Sequence, residues 1–329
     1  MATKKEKEEK LLELFMENDL PESKQEQKQM AYLPSPFIAA ALPARNVKGN
    51  VFVRKYNNIT LRLTGGIKVP YGKYGRLLLT VLTTHAVITK NNQNANAPVK
   101  IQYKSLNQLM KELQLPTSRC NEIKDQLDYF ANANFIFEEK IQQVTQTSLF
   151  RGFADEIDGL GDEVTATKHT TGIIPFIRGF QYIELEDRKG DKQNIAFEII
   201  LDEAFTSFSR EHSVPINYTA YKNISSAIGK DLYAWLVYRN NSLKEKGHIY
   251  IPREQLVSQF MPVDDPVNNK DQLRTNWAYI KDQINKIKAE HYQDLKISFD
   301  ESNLGMTLYR SKPQIESDDT RYILITADI

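Results

Sequence analysis

The stretch Ser105-Leu106-Asn107-Gln108-Leu109-Met110-Lys111-Glu112-Leu113-Gln114-Leu115-Pro116-Thr117-Ser118-Arg119-Cys120-Asn121-Glu122-Ile123-Lys124-Asp125-Gln126-Leu127-Asp128-Tyr129-Phe130 decides the fold. Leu106, Leu109, Met110, Leu113 and Leu115 recur at helical spacing, with Ser105 as the cap. Pro116 lacks the N–H that would continue the helix. A second helix starts at Thr117 or Ser118 and turns Cys120, Ile123, Leu127 and Phe130 inward. Two helices joined by so tight a turn read as a helix-turn-helix.

Upstream, Val99-Lys100-Ile101-Gln102-Tyr103 alternates as a short strand. A helix over about 72–89 precedes it, with Leu77, Leu78, Leu79, Val81, Leu82, Ala86 and Val87 in a broad apolar stripe that suits the centre of a core. Further back, the runs 51–55 and 59–63 flank Tyr56-Asn57-Asn58 as a hairpin around the Asn-Asn pair, which Gly65-Gly66 ends. Downstream, Phe135-Ile136-Phe137 opens a strand, and 172–186 and 193–201 read as strands that enlarge a wing. Helix, strand, helix, turn, helix and hairpin form the order of a winged helix.

The second half repeats this order. Leu232, Tyr233, Trp235, Leu236 and Tyr238 mark a helix over about 226–241. His248 to Ile251 is a strand, and Pro252 starts a helix with Leu256, Val257 and Phe260 inward. A long helix follows over about 271–290. Leu295–Phe299 and Met306–Tyr309 frame a hairpin. The expected fold is therefore α+β, two winged helices in tandem. The expected units are a flexible arm (1–33), a first domain (34–201) with an enlarged wing and an acidic loop (154–170), a linker (202–215, with a helix over 204–210), a second domain (216–312) and a tail (313–329).

Composition agrees with an ordinary globular protein of about two domains: 329 residues, 41% hydrophobic, 26% charged, net charge +1. No apolar run approaches the ~18 residues of a membrane helix, and the Lys- and Glu-rich start lacks the apolar core of a signal peptide. Cys120, the single cysteine, has no intrachain partner, so a reducing cytoplasm is the simplest setting. The charge is unevenly spread. Residues 45–130 carry fourteen Lys and Arg against four Asp and Glu, whereas 131–215 carry eight against fifteen. Such a basic block suits a polyanion, and a solvated surface with counter-charges from the acidic middle has the same distribution.

Catalytic signatures are missing from the sequence. His85, His169, His212, His248 and His291 never fall at the two- or four-residue spacing of local metal ligands, and the His-x-His pair of rolling-circle nickases is not there. Gly229-Lys230-Asp231 lacks both the first glycine and the Ser/Thr of a phosphate-binding loop. Asp264-Asp265 is an ordinary loop pair, and Cys120 reads as a small core residue. The expectation is a non-enzyme with no cofactor and no metal.

The helix from 271 has the character of a groove reader. Leu273, Trp277, Ile280, Ile284 and Ile287 fix its buried face. Opposite them stand Asp271, Arg274, Thr275, Ala278, Asp282 and Asn285, flanked by Lys270, Tyr279, Lys281 and Lys286. Small Thr275 and Ala278 permit close approach and contact with a thymine methyl, and Arg274 suits guanine O6 and N7. Lys281 and Lys286 suit phosphates. In the first unit Thr117, Ser118, Asn121 and Lys124 face outward, and Arg119 lies nearer the buried edge. Asp125 and Asp128 make the far half of that helix a poor reader, so backbone contacts are expected there. A solvated amphipathic helix has the same pattern, and the two acids on the long helix count toward that reading.

The segment Gly66-Ile67-Lys68-Val69-Pro70-Tyr71-Gly72-Lys73-Tyr74-Gly75-Arg76-Leu77-Leu78-Leu79 resembles the G-x-P-Y-G-x-x-P-R-L-L-L signature of plasmid RepA-type replication initiators. Thr83 to Thr89, Ser105 to Met110, Pro36-Phe37 with Ala41 to Arg45, and Lys230 to Arg239 resemble further motifs of that family, over roughly 34–312. Gly75 stands where the family usually has proline, and His85 where it usually has glutamate. The resemblance implies binding of repeated origin sequences (iterons) in double-stranded DNA, help in opening the origin, recruitment of host initiator and helicase proteins, and for some members a homodimer that represses its own gene. The other reading of the same fold is a transcriptional repressor. One inverted repeat at a promoter would favour it over tandem repeats at an origin.

Overall fold

The computed structural model describes residues 28–56, 59–89, 98–142, 165–169, 173–186, 192–262, 269–315 and 322–324. The first half runs β1 (Lys28–Pro34), α1 (Ser35–Ala39), β2 (Val51–Tyr56), β3 (Ile59–Thr64), α2 (Gly72–Ile88), β4 (Lys100–Tyr103), α3 (Leu106–Glu112), a 3-10 turn (Thr117–Arg119), α4 (Cys120–Ala131), β5 (Asn134–Gln142), β6 (Thr165–His169), β7 (Ile174–Pro175), β8 (Ile177–Glu186) and β9 (Lys192–Leu201). The chain continues through α5 (Glu203–His212), β10 (Ser213–Asn217), α6 (Tyr218–Asn223), α7 (Ala227–Ser242), β11 (His248–Pro252), α8 (Arg253–Phe260), α9 (Lys270–Lys286), a π turn (Ile287–His291), β12 (Lys296–Phe299), β13 (Gly305–Tyr309) and β14 (Tyr322–Leu324). The fold is mixed α and β, with small sheets that are antiparallel apart from the pairing of β1 with β14.

One unit of topology occurs twice. In α2-β4-α3-α4-β8-β9 the strands pair in the order β4-β9-β8, and in α7-β11-α8-α9-β12-β13 they pair in the order β11-β13-β12. Each time the strand between the first two helices pairs with the last strand of the unit. The hairpin of the first unit is therefore β8–β9. This corrects the expectation that the strand from Phe135 opens the wing: β5 pairs instead with β3, β6 and β7. The cause is aromatic packing. Phe135 and Phe137 point into a cluster with Phe37 and Phe208, at centroid distances of 5.0–5.7 Å, which draws β5 beside the β2–β3 hairpin.

A further sheet, β10-β1-β14, joins early, central and late segments of the chain. Residues 28–33 of the expected arm therefore form a strand paired on both sides, with Ala31 and Leu33 buried. The expected linker is α5 and the start of β10, and the expected tail holds β14. Residues 1–27 of the arm, and 154–164 and 170 of the acidic loop, lie outside the described residues.

Both units share one contiguous apolar core, from Ala31 to Leu308. At its centre is α2, buried at every position from Gly75 to Ala86. Two of its three buried threonine hydroxyls are satisfied within the helix: Thr80 donates to the Arg76 carbonyl at 2.8 Å and Thr84 to the Thr80 carbonyl at 2.7 Å, while Thr83 Oγ1 has no partner among the described residues. Gly75 leaves space for Gln126 of α4, whose Oε1 would lie 2.7 Å from an added Cβ. That oxygen accepts the Tyr71 N–H at 3.0 Å and so caps α2 from another helix. Ser105 stands at the N-cap of α3, but its side chain makes no capping bond there.

Arg76, 2% exposed, joins the two units. Its Nε and Nη2 donate to the two carboxylate oxygens of Asp231 on α7, at 2.6 and 2.7 Å. Its remaining N–H groups reach the carbonyls of Leu42, Pro43 and Gly72 at 2.6, 3.0 and 2.9 Å. All five guanidinium donors are thereby satisfied, which makes a buried charge tolerable. Beside it, buried Lys230 donates to the Tyr221 carbonyl and to the Lys222 carbonyl at 3.0 Å, closing the end of α6.

Candidate nucleic-acid interface

The inward face of α9 is as the spacing predicts: Leu273, Trp277, Ile280 and Ile284 are buried, and Ile287 is buried in the π turn that extends the helix. Two polar residues, Asn276 and Gln283, are buried with them. Asn276 Nδ2 donates to the Met261 carbonyl at 2.9 Å, and Gln283 Oε1 accepts from Ser226 Oγ at 2.5 Å. These bonds attach α9 to the end of α8 and the start of α7.

The opposite face is open. Lys270, Arg274, Thr275, Ala278, Tyr279, Asn285 and Lys286 are all exposed, and Lys281 is half-buried. Arg274 lies 3.6 Å from Asp271, one turn back, with both side chains largely in solvent. Lys286 pairs with Asp282 at 2.7 Å. This bond raises the lysine and lowers the carboxyl from their ordinary pKa ranges. Exposed pairs of this kind contribute little to stability, so the cations can exchange a carboxylate for a phosphate or a base edge at little cost.

Lys281 has a different role from the one its position suggests. Its Nζ donates to Asn303 Oδ1 at 2.9 Å and stands 5.1 Å from the centre of the Phe299 ring. Trp277 Nε1 donates to the same Asn303 oxygen at 2.9 Å. Asn303 sits in the β12–β13 turn with φ +59°, a conformation asparagine tolerates better than most residues. The turn and the exposed helix are thus held as one rigid piece. Asn303 was not legible as a site residue, because only the folded turn carries it to Trp277.

In the first unit Thr117, Ser118, Arg119, Asn121 and Lys124 are exposed together on the 3-10 turn and α4, beside exposed Asp125 and Asp128. Arg119 pairs with Glu122 at 2.8 Å, which raises the guanidinium and lowers the carboxyl. Cys120 is partly buried, its Sγ 3.9 Å from Asn107 Oδ1. The structure adds neighbours that the spacing did not reveal. Tyr71 and Tyr129 stack at 6.0 Å, Lys68 lies 5.7 Å from the Tyr129 ring centre, and Lys73 lies 5.1 Å from that of Tyr74. The segment from Lys68 to Tyr74 therefore supplies two cations and two aromatic rings next to α4. Among the described residues, no group of three or more His, Cys, Asp or Glu side chains is arranged to hold a metal. No helix among them is long and apolar enough to cross a membrane.

No protein-family model and no curated protein matches the chain. Among solved structures it is similar to a selenomethionine crystal structure of domains 2 and 3 of RctB, at 11% identity and a TM-score of 0.46, over 86% of this chain and 99% of that one. It is also similar to a crystal structure of RctB domains 2–3, residues 155–483, at 9% identity and a TM-score of 0.40, over 83% of this chain and 95% of that one.

Proposed function

We propose that the protein is a site-specific double-stranded DNA-binding protein of the replication-initiator class, built from two winged helices, with no catalytic step and no cofactor. The observation that carries this reading is the repeated pairing order β4-β9-β8 and β11-β13-β12, each sheet accompanied by a helix whose outward face is polar and exposed. In a winged helix that helix enters the major groove, while only the tip of the hairpin reaches the backbone beside it.

In this reading α9 is the base reader. Thr275 and Ala278 leave room for a helix about 10–12 Å across in a groove about 12 Å wide. Arg274 reaches guanine, Asn285 and Tyr279 serve the flanks, and Lys270 and Lys286 neutralise phosphates. Lys281 acts through Asn303, keeping the wing turn in register with the helix. The first unit grips the neighbouring groove through Thr117, Ser118, Arg119, Asn121 and Lys124, mainly on the backbone. The resemblance of residues 34–312 to plasmid RepA-type initiators adds repeated origin sites, host initiator and helicase proteins as partners, a homodimer as a second state, and a cytoplasmic setting.

The test is a fluorescence anisotropy titration of the full chain against random-sequence duplex DNA at several salt concentrations. The reading expects affinity that falls steeply and linearly in log–log form as salt rises. Affinity without salt dependence, or no binding at low salt, would remove it. Footprinting on the DNA beside the gene then separates initiation, seen as tandem direct repeats, from repression, seen as one inverted repeat.

A further inference from the structure

The second unit has a surface that the duplex reading leaves unused. The β11-β13-β12 sheet buries Ile251, Met306 and Leu308 against the helices. Its other face carries His248 and Tyr250 from β11, Thr307 and Tyr309 from β13, and Lys296 and Ser298 from β12. The register sets His248 and Lys296 on either side of Tyr309, and Tyr250 and Ser298 on either side of Thr307. Tyr250 is 47% exposed and Tyr309 41% exposed, both high for rings on a sheet.

These rings are fixed in place. Tyr250 Oη donates to Asp300 Oδ2 at 2.7 Å. The ring lies over the bare backbone of Gly305, where an added Cβ would come within 2.6 Å of Oη and 2.7 Å of Cζ. Tyr309 packs beside His248, with ring centres 5.8 Å apart and planes 34° apart, and its hydroxyl lies 3.4 Å from Ser298 Oγ. At the Tyr309 end the sheet runs into an open groove of about 750 Å³ lined by Lys246, Lys288, Lys296 and Arg310, with Asp294 the one acid in its wall. Of the other acids nearby, Asp300 accepts from Tyr250, Glu254 acts electrostatically on the same hydroxyl, and Glu245 and Glu301 lie close in the chain.

Nothing in the topology demands this composition. The corresponding face of the β4-β9-β8 sheet carries Lys100, Gln102, Glu198, Ile200, Gln181 and Gly179, with no aromatic ring among these residues. There Gln102 and Gln181 both donate to the Glu198 carboxylate, at 2.8 and 3.0 Å.

We propose that the outward face of the β11-β13-β12 sheet is a binding surface for single-stranded nucleic acid, with bases stacked on Tyr250 and Tyr309 and the backbone passing the groove cations. Tyr250 and Tyr309 are diagonal neighbours on paired strands, about 7–8 Å apart. That is about twice the ~3.4 Å rise between bases along a duplex strand, so the rings suit splayed bases and do not suit a paired stack. Base faces are available only in an unpaired strand, and aromatic platforms within a basic groove are how such strands are held. The surface uses no residue of the exposed face of α9, so it stands or falls separately from the duplex reading.

The experiment is an anisotropy titration of the full chain with labelled (dT)20 and (rU)20, beside a random duplex, for the wild type, Tyr250→Ala/Tyr309→Ala, Tyr250→Phe/Tyr309→Phe and Lys296→Gln. Circular dichroism melts check that the variants fold. The proposal expects saturable single-strand binding, lost about tenfold or more in the double alanine variant and kept in the double phenylalanine variant, while duplex affinity is unchanged. A preference between (dT)20 and (rU)20 names the natural strand. Single-strand binding without duplex binding would support this surface while refuting the proposed function. Wild-type affinity in the folded double alanine variant would overturn the proposal, as would displacement of (dT)20 by equal charge of poly-glutamate, which would mark the face as a site for an acidic polypeptide.

Discussion

Arg76 and Asp231, 155 residues apart, meet in a bidentate ion pair at 2.6 and 2.7 Å inside the core that the two units share. One belongs to the helix that opens the first unit and the other to the helix that opens the second. The relative placing of the two exposed helices therefore depends on a contact that neither helix makes.

Removing one partner of this pair should be costly. Arg76→Met leaves a buried carboxylate alone and strips donors from the carbonyls of Leu42, Pro43 and Gly72. Chemical denaturation should show a loss of about 3–5 kcal/mol. Arg76→Met/Asp231→Leu, which removes both charges, should lose less than either single variant. If the single variants matched the wild type, the pair would have no structural role.

Lys230 predicts a pH dependence. Burial, with further repulsion from Arg76 and Lys73, pushes its ammonium from 10.5 down to about 7. Between about pH 7 and 10.5 the unfolded chain holds a proton that the folded chain has released, so this group makes stability rise with pH across that window. Below pH 7 both states are protonated and the slope from this group vanishes. Urea midpoints measured from pH 6 to 10 should climb more steeply in the wild type than in Lys230→Met. Equal slopes would mean that Lys230 stays charged.

His85 replaces the glutamate of the resembled motif, and the structure gives the reason. Its Nε2 lies 2.9 Å from Glu112 Oε1, while Tyr103 Oη donates to Glu112 Oε2 at 2.5 Å. Restoring glutamate at 85 would set two carboxylates together in the core. His85→Glu should cost about 3 kcal/mol at neutral pH. A neutral effect in thermal melts would contradict this.

The exposed face of α9 predicts two distinct phenotypes. Arg274→Ala should cost about 1–3 kcal/mol on the preferred site and relax the preference at one base pair. Lys286→Ala should weaken binding to every sequence and reduce the salt slope by about one. Equal losses on specific and random DNA for Arg274→Ala would refute its assignment as a base reader.

Periodicity made the helices and their faces legible, because Leu273, Trp277, Ile280, Ile284 and Ile287 can share only one side of a helix. Strand pairing was less accessible. β4 pairs with β9 across nearly a hundred residues, as the Gln102–Glu198 bond illustrates, and nothing local distinguishes that partner from β5. β1 is a short strand whose partners, β10 and β14, lie far along the chain. Asn276, Gln283 and Lys230 looked like surface residues by type. They are buried because distant carbonyl or hydroxyl groups satisfy them. The site was legible as a face, while the coupling of Lys281 and Trp277 through Asn303 was not.

The most direct test of the central claim is selection of bound sequences from random duplex DNA with the purified full chain at physiological salt. Two readers held by one core predict an enriched motif with two parts about one helical turn, some 10 base pairs, apart, and with the part read by α9 the more constrained. A motif confined to a single groove, or no enrichment despite salt-dependent binding, would contradict it.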